Sequence, residues 1–181
     1  LLQLLPTSSI VWDEFLIDLI THLPNSGGKT IISVAIDRLN KFAHFIALPM
    51  GFTAIYIASI FRSEIYRLHG VSRIIISDSD RLFMSYFWNE LFRLLCTTLA
   101  FNSSYHPQTN GQSEVLNRCL ETYLRYFVSD EPRLWLKFLP LAEFWYNTSY
   151  HNSIGMTPFE ALYGRTAPTL PGYCLGDTKI A

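Results

Sequence analysis

The chain carries little charge. Charged residues make up 16% of its 181 positions, and the net charge is −1. An average domain is roughly a quarter charged. A domain that grips nucleic acid on its own is strongly basic. This balance therefore excludes a self-sufficient DNA-binding module, and any such affinity would be borrowed from neighbouring domains. Cysteine is also scarce. The three present, Cys96, Cys119 and Cys174, are scattered and odd in number. They form neither a metal-ligand pair nor a disulfide framework, which points to a reducing compartment. No run of about 18 apolar residues occurs, so no membrane-spanning helix is expected. The opening Leu1-Leu2-Gln3-Leu4-Leu5-Pro6 is too short for a signal-peptide core and has no basic start. It also lacks an initiator Met, as expected of a piece of a longer product. Internal repeats and low-complexity tracts are missing as well.

What the chain does have is apolar surface. Hydrophobic residues reach 49%, enough at this length for one domain with a sizeable core. Part of that surface reads as meant for burial against partners. The pattern along the chain is mixed. Residues 15–20 (FLIDLI) are apolar on both faces apart from Asp18, like a central strand. Asn25-Ser26-Gly27-Gly28-Lys29 reads as a turn. Residues 30–36 and 42–48 read as two further strands, giving an antiparallel meander. Ala54, Ile57, Ala58, Phe61, Ile65 and Leu68 recur at helical spacing, with Thr53 as cap and Gly70 as stop. Residues 73–77 form a short apolar strand. A helix at 83–95 and a fifth strand at 98–102 follow, then a loop at 103–112.

Residues 113–127 read as an amphipathic helix. Val115, Leu116, Cys119, Leu120, Tyr123, Leu124 and Phe127 share one arc, opposite a stripe of Glu114, Arg118, Glu121 and Arg125. A helix at 134–150 and a short one opened by Thr157-Pro158 complete the chain. The order predicts an α/β domain with a five-stranded mixed sheet flanked by helices. Its expected layout is a lead-in at 1–9, a core at 10–165 and a linker at 166–181.

Three carboxylates stand out: Asp18 in a buried strand, Asp78 at the end of another, and Glu114 in the first turn of a helix. Thirty-five residues separate Asp78 from Glu114. Acids that meet at one point repel each other unless a divalent cation lies among them. An all-oxygen set with no flanking His or Cys suits Mg²⁺ or Mn²⁺. Two such ions about 4 Å apart can drive phosphoryl transfer. Each acid also has a plainer reading. Asp18 fits a structural ion pair, Asp78 fits a turn acid, and Glu114 fits an exposed i,i+4 pair with Arg118.

Long blocks carry a family resemblance. They are Trp12-Asp13-Glu14-Phe15-Leu16-Ile17-Asp18 with Leu23-Pro24, Val34 through Phe45, Arg67-Leu68-His69-Gly70 leading to Ile76-Ser77-Asp78, and Ser104 through Glu114 with Asn117-Arg118. Trp145-Tyr146-Asn147-Thr148 and Thr157 through Gly164 follow. The chain resembles the integrase catalytic core of gypsy-type LTR retrotransposons, close to plant elements, along nearly its whole length. The resemblance implies a ribonuclease H-like fold and a polynucleotidyl transferase using two divalent cations. Such an enzyme trims the 3′ ends of the element's DNA and joins them to host DNA. Asp18, Asp78 and Glu114 would be catalytic residues and metal ligands. Arg118, Gln108, Asn110 and Gln112 are candidate DNA contacts, with a salt bridge and plain turn chemistry as the alternatives. The partners implied are retroelement DNA ends, target DNA and further copies of the chain. The setting implied is the nucleus during integration and a cytoplasmic particle before it.

Several positions depart from the family pattern. Ser79 stands for Arg, Cys96 and His22 for Gly, and Leu16 for Ser. A catalytically silent, decayed fragment is therefore a second expectation. A ribonuclease H-type nuclease is a third, against which the Glu114 helix motif argues.

Overall fold

The computed structural model describes residues 9–77, 86, 89–91, 93, 94, 110–128 and 131–168; the side chains of 110–117 and 127 are outside that description. Three strands come first: β1 (Glu14–Ile20), β2 (Ile31–Asp37) and β3 (Ala43–Leu48). The turn between β1 and β2 places Gly27 at φ +57° and Gly28 at φ +81°, a conformation that glycine adopts without steric cost. Asn25 closes this turn by accepting from the Gly28 amide at 2.9 Å. Between β2 and β3, Asp37 accepts from the Asn40 amide at 3.1 Å and from the Trp12 amide at 3.2 Å. Burial pushes the Asp37 carboxyl above its ordinary range, and these backbone donors offset part of the shift.

Helix α1 (Ala54–Phe61) begins at Thr53, whose hydroxyl accepts from the Tyr56 amide. It runs on through a wider π-helical stretch, Arg62–Tyr66, and one last turn, Arg67–His69. Gly70 at φ +84° ends it and turns the chain into β4 (Ile74–Ser77). Helices α2 (Asn110–Val128), α3 (Trp135–Thr148) and α4 (Pro158–Tyr163) follow. α4 opens on a full capping box, in which Thr157 and Glu160 each satisfy the other's backbone amide.

The sheet order is β3-β2-β1-β4. β1 pairs antiparallel with β2 and parallel with β4, so the sheet is mixed. Among the described residues it has four strands, not five; the expected fifth, at 98–102, lies outside them. Helical residues at 86, 89–91, 93 and 94 fall within the helix expected at 83–95. α2 starts at Asn110, three residues before the expected start at Ser113. Gly111 reads as a breaker, yet one glycine costs a helix only about 1 kcal/mol. The packing of Leu120 and Leu124 further along outweighs that. Among the described residues, no helix is long and apolar enough to cross a membrane.

Strand alternation divides the core in two. Phe15 and Ile17 of β1 pack with Ile57, Ala58, Phe61 and Ile65 of the α1 run on one face. Leu16 and Ile20 pack with Leu120 and Leu124 of α2 and with Trp135, Leu139 and Ala142 of α3 on the other. The free edge of β3 is covered by α3. Asn147 accepts from the Ala43 amide and donates to the Ala43 carbonyl, both at 2.8 Å. Glu143 accepts from the Phe45 amide at 2.8 Å. Four helical residues rise about 6 Å, and two strand residues span about 6.8 Å. An i,i+4 pair on a helix therefore matches alternate amides on a strand edge, and it blocks further strand pairing there.

Asn147 is buried and occupied by these two bonds. Replacing it with Ala leaves an amide and a carbonyl buried without partners. The Asn147→Ala variant should lose roughly 2–4 kcal/mol of stability in urea unfolding.

Candidate functional site

Asp18 is the fifth residue of β1, paired with Val34. It is half-buried, and its Oδ1 accepts from the Leu19 amide at 2.7 Å. Alternation sets it on the same face as Leu16 and Ile20, the face covered by α2 and α3. α2 packs directly against β1. Glu114 is the fifth residue of α2, so the first acid and the helix bearing the third share one side of the sheet.

Asp78 lies outside the described residues, but its chain neighbour does not. Ser77 pairs with Ile17, the residue before Asp18, in the parallel register of β4 with β1. The two aspartates thus each follow one member of a paired couple. Gln108 is outside the described residues. Asn110 and Gln112, expected in a loop, belong to the first turn of α2. Arg118 lies one turn beyond Glu114 and is exposed.

Leu120 and Leu124 are buried as expected from the apolar arc of α2, and Tyr123 is half-buried. Cys119, expected in the same arc, is exposed. The helix is turned so that Leu120 and Leu124 meet β1 and α3. Its other flank lines an open groove of about 730 Å³ between Arg118, Cys119, Thr122, Tyr123, Tyr126 and Trp145. Trp135 is a core residue, whereas Trp145 is partly exposed and stacks on Tyr123 with ring centroids 4.5 Å apart.

Two clusters lie beyond what the linear sequence made evident. Glu14 is buried at the start of β1 and meets two guanidinium groups. Arg38 comes from the β2–β3 turn, and Arg73, just before β4, approaches at 2.8 Å. Arg73 also meets Asp13 at 3.1 Å. The hydrogen bond that Arg73 donates to Asp13 holds its guanidinium above its ordinary range, with the charges of both acids adding to it. This network ties the beginnings of β1 and β4 together. The second cluster joins His44, His69 and Glu143. No local signal marks either cluster, because their members lie tens of residues apart in the chain.

A hard divalent cation suits the donor chemistry. Asp18 offers carboxylate oxygens on a partly covered face, and two further carboxylates at 78 and 114 would supply the same donor type. Among the described residues, no group of three His, Cys, Asp or Glu side chains gathers for a metal; the side chains of 78 and 114 are not in that set.

No protein-family model matches the chain. Two polyproteins of Schizosaccharomyces pombe, those of transposons Tf2-3 and Tf2-4, are each 33% identical to it over 169 residues. The match takes in 93% of this chain and 13% of each polyprotein. The chain is homologous to that segment and spans about an eighth of the length of these relatives. Three solved structures have the same fold. The simian T-cell lymphotropic virus intasome, determined with the PP2A regulatory subunit B56 gamma, has a TM-score of 0.68 at 17% identity, over 94% of this chain and 61% of that one. The HTLV-2 integrase catalytic core with magnesium, in its trimeric form, has a TM-score of 0.60 at 18% identity, over 84% and 97%. The BIV integrase catalytic core has a TM-score of 0.57 at 22% identity, over 83% and 93%. The fold is that of an integrase core, an α/β domain of the ribonuclease H-like type.

Proposed function

We propose that this chain is the catalytic core of a retrotransposon integrase, a polynucleotidyl transferase that processes and joins DNA ends. The observation that carries the reading is the 33% identity along 93% of the chain to Tf2 transposon polyproteins, read with the placement of Asp18 beneath α2. The sequence motifs assign it to the gypsy type, near plant elements. Residues 10–165 are the core, 1–9 a lead-in and 166–181 a linker toward further domains of a polyprotein.

In this reading Asp18, Asp78 and Glu114 hold two Mg²⁺ or Mn²⁺ ions. When bound, such cations activate an attacking hydroxyl and stabilise the leaving oxygen of a phosphodiester. In this reading Asp78, the residue after Ser77 of β4, joins Asp18 on the α2 face. Glu114, carried by α2, completes the set in this reading. Water is the nucleophile in 3′-end trimming, and the freed 3′-hydroxyl is the nucleophile in joining. Arg118, exposed one turn from Glu114, meets a phosphate of the DNA. Gln108, Asn110 and Gln112 hydrogen-bond the strand near the start of α2. Retroelement ends and target DNA are the substrates, and further copies of the chain are partners. The nucleus is the place of action after a stage in a cytoplasmic particle. The low charge of the chain assigns most DNA affinity to flanking domains.

Two measurements test this in sequence. Mn²⁺ or Mg²⁺ should raise the thermal midpoint of the folded chain by several degrees at about 100 times the dissociation constant, a gain of about 2.7 kcal/mol. Asp18→Asn should abolish the shift while the protein stays folded. With end-matched DNA and Mn²⁺, joining should occur and disappear in Asp78→Asn. A folded chain whose midpoint ignores both metals contradicts the reading.

A second reading, a catalytically silent descendant, is favoured by one backbone feature. His22, where the family resemblance implies Gly, sits at φ +64°. A side chain in this left-handed region costs roughly 1–2 kcal/mol. His22→Gly should therefore stabilise the fold by about 1 kcal/mol in urea unfolding. No gain would remove this sign of a worn sequence.

A further inference from the structure

Two imidazoles meet at the edge of the sheet. His44 Nε2 on β3 and His69 Nε2 at the end of the α1 run are 2.8 Å apart. A contact this short needs one proton between the rings. With none, two lone pairs face each other; with two, two N–H groups collide. The other ring nitrogen of His44, Nδ1, is 3.1 Å from Glu143 Oε1. A carboxylate only accepts, so Nδ1 carries the hydrogen. Neutral His44 then presents a lone pair on Nε2, and His69 donates to it. The second oxygen of Glu143 accepts from the Phe45 amide, which fixes the carboxylate at the strand edge. His69 lies flat on the buried Trp12 ring, with centroids 4.2 Å apart and planes 13° apart. His44 leans on the same indole at 5.3 Å.

We propose that Glu143, His44 and His69 form a proton-operated latch: one proton shared between the two rings ties the end of α1 to the sheet edge, and protonation of both rings, which sets two N–H groups against each other, opens it. His69 is the last residue of the α1 run, and Gly70 next to it turns the chain toward β4. The latch therefore holds the entry to β4, while the Glu14–Arg73 pair holds the start of that strand. Opening frees the connection from 66 to 74 and leaves the centre of the sheet paired.

The surroundings favour the single-proton state. Burial, and then repulsion from the His44 ring, push His69 down to about 4. Glu143 comes from α3 and compensates one positive ring, not two. The β2–β3 turn brings Asp37, which is held by the Trp12 and Asn40 amides, and Lys41, whose ammonium bonds the Arg38 carbonyl. The segment before β1 brings Asp13, paired with Arg73. Tyr66, on the α1 run itself, is held above its ordinary range by burial and stays neutral. β2 places Ala35 opposite His44. A depressed folded value means that the open state binds more protons. The latch is at full strength above about 6.5 and weakens as pH falls toward about 4.

Hydrogen exchange of the peptide covering 66–74 in the 181-residue chain tests this. After correction for intrinsic rates, exchange should quicken at least about threefold between roughly pH 7.5 and pH 5. The acceleration should vanish in His69→Asn. It should persist in His151→Asn, because burial also lowers His151 but that ring bonds the Tyr146 carbonyl. A flat profile in the wild type, or the same acceleration in His69→Asn, overturns the latch. Ring ¹⁵N spectra of the unmodified chain give a second test that needs no variant. One proton between the rings and a His69 ring that titrates well below 6.5 are expected, and a His69 ring titrating near 6.5 overturns the proposal. Nothing here depends on Asp18, Asp78 or Glu114, so a chain without joining activity still shows the latch.

Discussion

The parallel pairing of β1 with β4 is the constraint on which the rest of the structure depends. It joins two segments about sixty residues apart and sets Ile17 beside Ser77. Parallel strands need a long crossover, and here it is the β2–β3 meander followed by the α1 run. The pairing is anchored at its open end by a buried carboxylate. Glu14 alone would be costly in the interior, but Arg38 and Arg73 both reach it. One side chain thereby fixes the start of β1, the start of β4 and the turn between β2 and β3. A slip of one residue would move every β1 side chain to the opposite face. Asp18 would then point into the Phe61 and Ile65 cluster instead of toward α2.

The two faces of the sheet have different tasks. The α1 face is a closed apolar core in which Phe15, Ile57 and Phe61 are fully or nearly fully buried. The α2–α3 face combines core packing with the half-buried Asp18. It continues outward into exposed aromatic surface, with Tyr126, Phe144, Trp145 and Tyr150 open to solvent. That surface carries part of the apolar excess of a chain poor in charge. Single exposed aromatics are ordinary; a run of them along two packed helices marks a surface suited to burial.

Much of the fold was legible because its signals are local. The apolar run around Asp18 marked β1, the Asn25 to Lys29 turn marked the first reversal, and Thr53 and Thr157 marked two helix starts. The start of α2 was harder, since Gly111 and the polar residues around it resemble a loop when packing is ignored. Cys119 was misplaced for a related reason. A helical wheel identifies an apolar arc, but which edge of that arc meets the sheet is decided by neighbours such as Leu16 and Trp135. The edge cover by Glu143 and Asn147, the Glu14 clamp and the His44–His69 pair were not legible at all. Each unites residues 24 to about 100 positions apart, and no periodicity carries information over that distance. Of the candidate site, the acids stand out by their places in strand, strand end and helix, and their role is what the family resemblance implies. The face shared by Asp18 and α2 emerged only from the register.

The central claim is that positions 18, 78 and 114 converge on one metal site. Anomalous diffraction from crystals of the chain grown with Mn²⁺ tests it most directly. The account predicts a manganese peak bonded to carboxylate oxygens of Asp18 and Asp78, with Glu114 facing it across the site. Manganese bound elsewhere, with Asp18 engaged only by protein groups, would contradict it.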